Sequence, residues 1–556
     1  MSRRAIRVVL ALTALAFPVA ASADDAPRAV SAAPVPKFVE EAAKAGVEHT
    51  YDGAWEFFVG GGVAIFDCNG DRRPDLFLAG GKNPAQLFEN QSPTGGTLAF
   101  RVRDTGLAER RTTRVLGAYP LDFDNDGIVD LAVLRLGENL LLKGKGDCRF
   151  EEANRVLGFD GGREWTTGFS AVWEQDQAYP TLAFGNYVDR SKPGSPWGTC
   201  HDNFLFRPQG TGTGADTLRY DEATRLTPGY CALSMLFTDW NRSGEPSLRI
   251  SNDRQYYRGG EEQLWAVPPG RPPRSYRRAD GWRHLQIWGM GIASIDLNND
   301  GYPEYALTSM GDTKLQTLDA EADETVPVYR DIAYDRGVTA HRPYTGDDLR
   351  PSTGWHSEFQ DVNNDTLWDL FIAKGNVEAM PDFAAFDPDD LLLGQWDEKF
   401  VEVGDTAGIA LDRRGRGAGL ADFNMDGLLD LVVVNRAGPV SLFRNAGAGS
   451  AENPRPLGNW LAVEIRQDRR RPNRYGVGAK ISVKIGNRSV VRDVQIGAGH
   501  ASGQLGFVHF GLGVSERAQV RIRWPDGDWS HAYRVFANSH VIIERGAEKA
   551  RLWYPE

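Results

Sequence analysis

One pattern of oxygen donors recurs along this chain, Asp-x-Asn/Asp-x-Asp-x-x-x-Asp/Glu, and it is clearest at five places. The first copy sets Asp67, Asn69, Asp71 and Asp75, and the second Asp122, Asp124, Asp126 and Asp130. Further along come Asp296, Asn298, Asp300 and Glu304, then Asp361, Asn363, Asp365 and Asp369, and last Asp422, Asn424, Asp426 and Asp430. Positions 1, 3, 5 and 9 offer side-chain oxygens, and the backbone carbonyl of position 7 adds another. This hard, oxygen-only set suits Ca2+. Carboxylates so close repel one another unless a cation sits among them. An EF-hand is excluded, because apolar strand-like runs flank each loop and position 12 holds no Glu. Position 6 should need a positive φ, so Arg72 and Thr366, which replace the turn glycine there, predict weaker sites. Two degenerate copies complete the series. One runs from Trp173 through Gln175 and Gln177 to Thr181, and the other has Asp239 and Asn241 but Ser243 and Ser247. Neither predicts a metal.

These loops need elements to hold them, and the spacing shows which. The seven copies start at 67, 122, 173, 239, 296, 361 and 422. An aromatic marker precedes each start (Phe38, Phe100, Phe150, Tyr220, Tyr276, Tyr329, Phe400), and a polar–apolar marker such as Gln86-Leu87-Phe88 or Ser441-Leu442-Phe443 follows. Each unit therefore supplies several short strands joined by acidic and glycine-rich turns. One unit cannot bury both faces of its sheet, whereas seven stacked radially can. The expectation is an all-β protein: a seven-bladed β-propeller over residues 37–458, carrying about five structural Ca2+ ions.

Residues 459–545 differ in kind. They hold 14 Lys and Arg against 7 Asp and Glu, in a chain of net charge -12. Alternating stretches such as Ala479-Lys480-Ile481-Ser482-Val483-Lys484-Ile485 and Val520-Arg521-Ile522-Arg523-Trp524 predict a small β-rich domain. Arg466, Arg469, Arg470, Arg471 and Arg474 make a basic run that suits either docking on the acidic propeller, an anionic partner or plain solvation.

With these residues in view, a resemblance can be stated. The acidic loops resemble FG-GAP/VCBS repeats, the calcium-loop blades of integrin-α-like propellers. The C-terminal run resembles the ASPIC/UnbV domain through Asn459-Trp460-Leu461, Gly476-Val477-Gly478-Ala479, residues 497–504, His509-Phe510-Gly511-Leu512-Gly513 and Trp524-Pro525-Asp526-Gly527. Propeller and tail in this order are similar to the cartilage acidic protein family. The resemblance implies the fold and calcium, and it implies no substrate.

Composition sets the outer bounds. Hydrophobic residues make up 41 % and charged residues 25 %, a globular balance. Arg3, Arg4 and Arg7, the apolar run from Val8 to Ala20 and Ala21-Ser22-Ala23 read as a removable signal peptide over residues 1–23. An exported protein, periplasmic or extracellular, places its four cysteines in an oxidising compartment. Cys200 is expected to pair with Cys231, which leaves Cys68 with Cys148. Losing three arginines with the signal takes the net charge to about -15, of which 16 carboxylates lie in the five loops. That charge excludes nucleic acid as a general partner, and no other run is long enough to insert in a membrane.

Catalytic residues are not assigned: the nine histidines are scattered, and no nucleophile elbow or phosphate loop is present. His500 and His509, inside the tail motif, read as turn or core residues. The run Trp282-Arg283-His284-Leu285-Gln286-Ile287-Trp288, with Ser251-Asn252-Asp253-Arg254-Gln255-Tyr256-Tyr257 before it, suits a sugar or aromatic ligand, but blade packing is the plainer reading. Two functions remain. One is a calcium-binding interaction module with a protein or glycan ligand. The other is an exported polysaccharide lyase or hydrolase working at the propeller face.

Overall fold

The computed structural model describes residues 33–555, apart from 176, 193–198, 210–217, 254–258, 320, 324 and 340. The expected signal peptide and Arg254 to Tyr257 lie outside the described residues.

Among the described residues the strands form nine sheets, seven of which make a ring. Each ring sheet opens with a strand that is almost wholly buried: Val63–Phe66, Val115–Leu121, Thr166–Val172, Ala232–Thr238, Gly289–Ile295, Gly354–Gln360 and Gly415–Ala421. Each of these packs against the first strand of the next sheet, and the seventh packs back against the first. These inner strands are covered on both faces, so their sequences are continuous apolar runs with glycine rather than alternating ones. The outermost strands, such as Phe150–Glu152 and Phe400–Glu402, keep one buried aromatic and face solvent with the rest. Five of the seven aromatic markers, Phe38, Phe100, Phe150, Tyr329 and Phe400, are therefore the buried ends of fourth strands, while Tyr220 and Tyr276 lie just outside theirs. The ring closes through the chain's start: Phe38–Glu40 pairs antiparallel with Ser441–Asn445, Phe38 opposite Asn445, and completes the seventh blade. The fold is a β-propeller.

The tail is a two-sheet sandwich. One sheet holds Asn459–Arg466, Val508–Gly513, Ser539–Glu544 and Arg551–Trp553, and the other Lys480–Ile485, Arg488–Asp493, Arg517–Arg523 and Tyr533–Phe536. Leu461, Val463, Ile481, Val483, Val520 and Val541 fill the space between them. The same apolar cluster continues into Phe359, Trp368 and Ile372 of the sixth blade, so tail and propeller share a core.

Two disulfides pin loops. Cys68, inside the first acidic loop, bonds Cys148 in the second blade, and Cys200 bonds Cys231. Both pairs match the sequence expectation.

The tail also enters the propeller. Residues 496–505 run along its axis and meet all seven blades. Gly503–Leu505 pairs in parallel with Val63–Phe66 of the first blade. Ala118 and Ala171 donate their N–H groups to the carbonyls of Ala501 and Ile496, at 3.2 Å each. Ala498 and Gly499 donate to the carbonyls of Met235 and Ile292, at 2.7 and 2.6 Å. The His500 N–H donates to Nδ1 of His356 in the sixth blade. Inner-strand glycines make room for this plug. A Cβ on Gly62 would lie 1.8 Å from the Ala501 carbonyl oxygen, and one on Gly417 of the seventh blade 2.5 Å from Ser502 Oγ. Midway along the plug His500 is fully buried against Trp355. Burial, then the charges of Arg416 and His356, hold the His500 pKa down at about 3, so the ring is neutral and Nε2 accepts from the Gly60 N–H. Arg416 closes the axis beyond it. Its guanidinium stacks on Trp355 at 4.0 Å and donates to the carbonyls of Phe58, Gly415, Asn376 and Val377.

Candidate metal centre under the C-terminal domain

All five acidic loops join the first and second strands of their blades, and they share one hydrogen-bonding plan. The position 1 carboxylate accepts the N–H of position 6: Asp67 from Arg72, Asp122 from Gly127, Asp296 from Gly301, Asp361 from Thr366 and Asp422 from Gly427, at 2.8–3.0 Å. Position 5 accepts the N–H of position 7. Asp71, Asp126, Asp300, Asp365 and Asp426 each do so at 2.8 or 2.9 Å. Position 6 has positive φ throughout, including Arg72 at 67° and Thr366 at 79°, as the loop geometry requires. Those two residues hold a backbone that glycine adopts without strain.

Position 9 is a clamp. One oxygen of Asp75, Asp130, Asp369 and Asp430 accepts the N–H of position 2, and the other accepts an N–H from the third strand. Glu304 is one methylene longer and takes the Thr317 hydroxyl instead, at 2.7 Å. The carboxylate thus ties three strands together whether or not a cation is present.

The electrostatics of these loops call for a cation. Burial, then the charges of Asp124 and Asp126, push the Asp122 carboxyl up to about 7. Burial first and neighbouring carboxylates after it raise Asp296 to about 6 and Glu304 to about 7, and push Asp75, Asp130, Asp361, Asp369 and Asp430 upward too. Buried oxygens are left over: Asp122 Oδ1, Asp296 Oδ1 and Asn424 Oδ1 have no hydrogen-bond partner among the described residues. In the second loop, oxygens of Asp122, Asp124 and Asp130 lie within 4.8 Å of one another. Orphaned buried oxygens beside carboxylates that resist ionisation are donors that a hard cation would satisfy. The donor set fits Ca2+.

In four loops the position 3 amide fills part of that gap. Asn69, Asn298, Asn363 and Asn424 each turn Nδ2 toward the position 5 aspartate, at 3.0–3.1 Å. The second loop has Asp124 there, and an ammonium takes the place of the amide. Lys143, from the third strand, forms ion pairs with Asp124 and, at 2.8 Å, with Asp126. Sequence reasoning missed Lys143. The only signal is a lysine just before the position where the third strand donates to Asp130.

The degenerate loops have been rebuilt without a cation. In the third blade Glu174 is buried and receives Arg207 Nε at 2.7 Å and the Thr181 hydroxyl at 2.7 Å. In the fourth, the Asp239 carboxylate accepts the Gly244 N–H and feels the charges of Lys480 and Arg523. In the aromatic run of the fifth blade Trp282 and Ile287 are core, whereas Arg283 and His284 are exposed. Trp282 is buried, gives its indole N–H to the Glu262 carbonyl and carries Arg249 on its face.

The tail sits on the acidic loops of the first, second, sixth and seventh blades. Trp460 covers Gly427, where a Cβ would lie 1.9 Å from the indole. Gly511 lies against Asp361, and His509 Nε2 meets Asn364 Oδ1 at 2.6 Å. Burial, then the charges of Arg492 and His540, keep His509 neutral with a pKa of about 3. Asn125 accepts the Asn473 N–H, Gly127 accepts the Tyr475 hydroxyl, and Arg72 pairs with Glu464 at 3.5 Å. His509 is therefore a docking residue, which also lines the cavity left between tail and propeller, and His500 is a plug residue.

Fold and loops together define a class: a β-propeller with acidic FG-GAP-like loops, plugged and capped by an ASPIC/UnbV domain. Family models agree at both ends. Residues 67–169 match the FG-GAP-like repeat and residues 469–550 match ASPIC and UnbV. The chain is similar to cartilage acidic protein 1 of Homo sapiens, 35 % identical over 127 residues, which is 22 % of this chain and 18 % of that protein. Cartilage acidic protein 1 of Xenopus tropicalis is 32 % identical over 120 residues, 21 % of this chain and 17 % of that protein. The matched stretches thus span less than a fifth of these curated relatives. Among solved structures it is similar to BBS1N in complex with ARL6DN (TM-score 0.39, 9 % identity, 69 % of this chain and 92 % of that one). It is also similar to the Dos1 propeller (TM-score 0.36, 9 % identity, 75 % and 95 %). At these scores the likenesses add nothing to the fold read from strand pairing.

Proposed function

We propose that the chain is an exported, calcium-stabilised interaction module, whose metal loops cement the propeller to the domain that plugs it. The observation that carries this reading is the placement of the acidic loops, with orphaned buried oxygens, beneath the docked tail. Asp67, Asn69, Asp71 and Asp75, and their counterparts in the second, fifth, sixth and seventh blades, would hold the ions. Bound Ca2+ supplies the positive charge that these carboxylates lack and lets them ionise together at neutral pH. The asparagine amides of four loops would turn over to present oxygen. Two disulfides support an oxidising compartment, and no helix among the described residues is long and apolar enough to cross a membrane. A polysaccharide-active enzyme would hold its substrate in the axial cleft, and the plug occupies that place.

The test is calcium content and thermal melting of the mature protein before and after metal removal. Each site at an ion concentration of about 100 times its Kd adds roughly 2.7 kcal/mol. Four or five ions per chain and a large drop in melting temperature on chelation are expected. No bound calcium and an unchanged melt would overturn the metal reading.

A further inference from the structure

Nine of the 14 Lys and Arg in residues 459–545 fall into two groups. Arg466, Arg471, Lys480 and Arg545 are spent on carboxylates: Glu464, Asp526, Asp493 and Asp528, at 2.7–3.1 Å. Lys484, Arg517, Arg521, Arg523 and Arg534 form no ion pair among the described residues. All five point from one side of a single sheet. In its strands Ile481, Val483, Ala518, Val520, Ile522, Tyr533 and Val535 face inward and are buried, and the alternate positions face out. Register sets Lys484 opposite Gln519 and Gln519 opposite Arg534, with Arg521 opposite Ser482 and Arg523 opposite Lys480. The one carboxylate at these outward strand positions, Asp493, is held by Lys480 at 2.8 Å.

Two exposed aromatics complete the face. Trp529 is 49 % and Phe536 62 % exposed. Arg521 stacks on Trp529 at 4.8 Å, and Arg517 on Phe536 at 5.2 Å. Stacking holds a guanidinium plane in place and leaves its N–H fork free for an oxyanion. Unpaired like charges side by side cost stability, and the chain that carries them has a net charge of -12.

We infer that this sheet face binds a sulfated polysaccharide. The inference deepens the interaction-module reading by naming the partner, and it rests on that reading. Four strands at about 4.8 Å spacing make a platform roughly 14 Å across. Such a surface takes an extended chain laid across the strands rather than a ligand sunk in a pocket. Arginine outnumbers lysine four to one, which suits oxyanions contacted through paired N–H donors. The acidic blades around the tail repel a broad polyanion such as duplex nucleic acid and leave room for a thin chain.

The probe is immobilised heparin, with the full mature protein in calcium. The wild type should be retained at low salt and elute above about 0.15 M, where the Debye length is near 8 Å. Arg521→Glu/Arg534→Glu should elute below that point. Arg155→Glu/Arg163→Glu on the propeller, an equal change in charge, should elute with the wild type. In solution, Arg521→Gln/Arg534→Gln should flatten the slope of log K against log salt by about two ions. This milder pair also decides the matter if the glutamate pair fails to fold. Flow-through of the wild type, equal shifts in face and control variants, or equal retention on duplex DNA would each overturn the inference. Calcium-dependent melting is read on the same samples, so failure here and failure of the metal reading are told apart.

Discussion

The second and seventh acidic loops have nearly the same sequence and reach the same charge by different routes. In the seventh, Asp422, Asp426 and Asp430 carry three charges, and Asn424 gives its amide to Asp426 and to the Gly96 carbonyl. The nearby cation, Arg444, is drawn off to Glu41 by two hydrogen bonds of 3.1 Å. In the second, Asp124 adds a fourth carboxylate, and Lys143 brings the count back to three. Burial alone would lower the Lys143 pKa, and the pairing with Asp124 and Asp126 more than offsets it, so the ammonium stays charged. Their roofs differ as well. Trp460 covers the seventh loop, whereas Asp126 and Ile128 of the second are exposed. A cation loop is thus set by its net charge and by what lies over it, and the motif encodes only the first in part.

After chelation itself, the largest effect that separates the two loops comes from their turn glycines. Gly127 and Gly427 have almost the same φ, 87° and 85°. A Cβ on Gly127 would meet nothing nearer than Arg474 Nη2 at 4.0 Å, while on Gly427 it would strike Trp460 at 1.9 Å. Gly127→Ala should cost the left-handed penalty alone, about 1–2 kcal/mol. Gly427→Ala adds overpacking and should cost about 2–5 kcal/mol while loosening the tail. Denaturant melts of both variants check this, and equal losses would mean that Trp460 does not seat on the loop.

A smaller effect lies in the pH dependence of the metal-free protein. Asp122 and Glu304 titrate near 7 and Asp296 near 6 in the fold, against ordinary values of 3.8 and 4.5. The folded state therefore keeps protons that the unfolded chain has released, and stability falls as pH rises from about 4 to 7. With calcium bound the same carboxylates are ionised and paired with the ion, protons compete with the metal, and stability rises with pH over that window. Melting temperatures of metal-stripped and calcium-loaded protein should slope in opposite directions between about pH 4 and 7, the span from the unfolded to the folded pKa values. Parallel curves would count against the loops as the calcium sites.

Much of this was legible in the sequence. The spacing of acidic loops gave the blades, because each inner strand ends where a loop starts. Positive φ at Arg72 and Thr366 followed from position in the motif, and both disulfides from context. The plug was not legible. Residues 496–502 have no strand periodicity, because the segment bonds to one blade after another and the hydrogen-bonding partners lie more than a hundred positions away. Arg416 gave no sign either, since its partners are backbone carbonyls, which no side-chain motif records. Lys143 was hidden for a related reason: it reaches the loop from another strand, 17 to 19 positions beyond the residues it pairs with.

Lys143 is also where the comparison can be sharpened most finely. Its ammonium occupies the space next to Asp126 that an asparagine amide fills in the other loops. An amide can turn and offer oxygen, whereas an ammonium has no lone pair and must leave before a cation enters. The second site should therefore bind calcium more weakly than the seventh, despite its extra carboxylate. Lys143→Met removes the competitor and keeps the stem's bulk. Calcium affinity at the second loop should then rise by about tenfold, roughly 1.4 kcal/mol, while the metal-free variant melts lower because buried Asp124 has lost its partner. Titration calorimetry on wild type and variant reads both the number of sites and their affinities. Identical isotherms would show that Lys143 swings away at no cost, and that the two loops are equivalent after all.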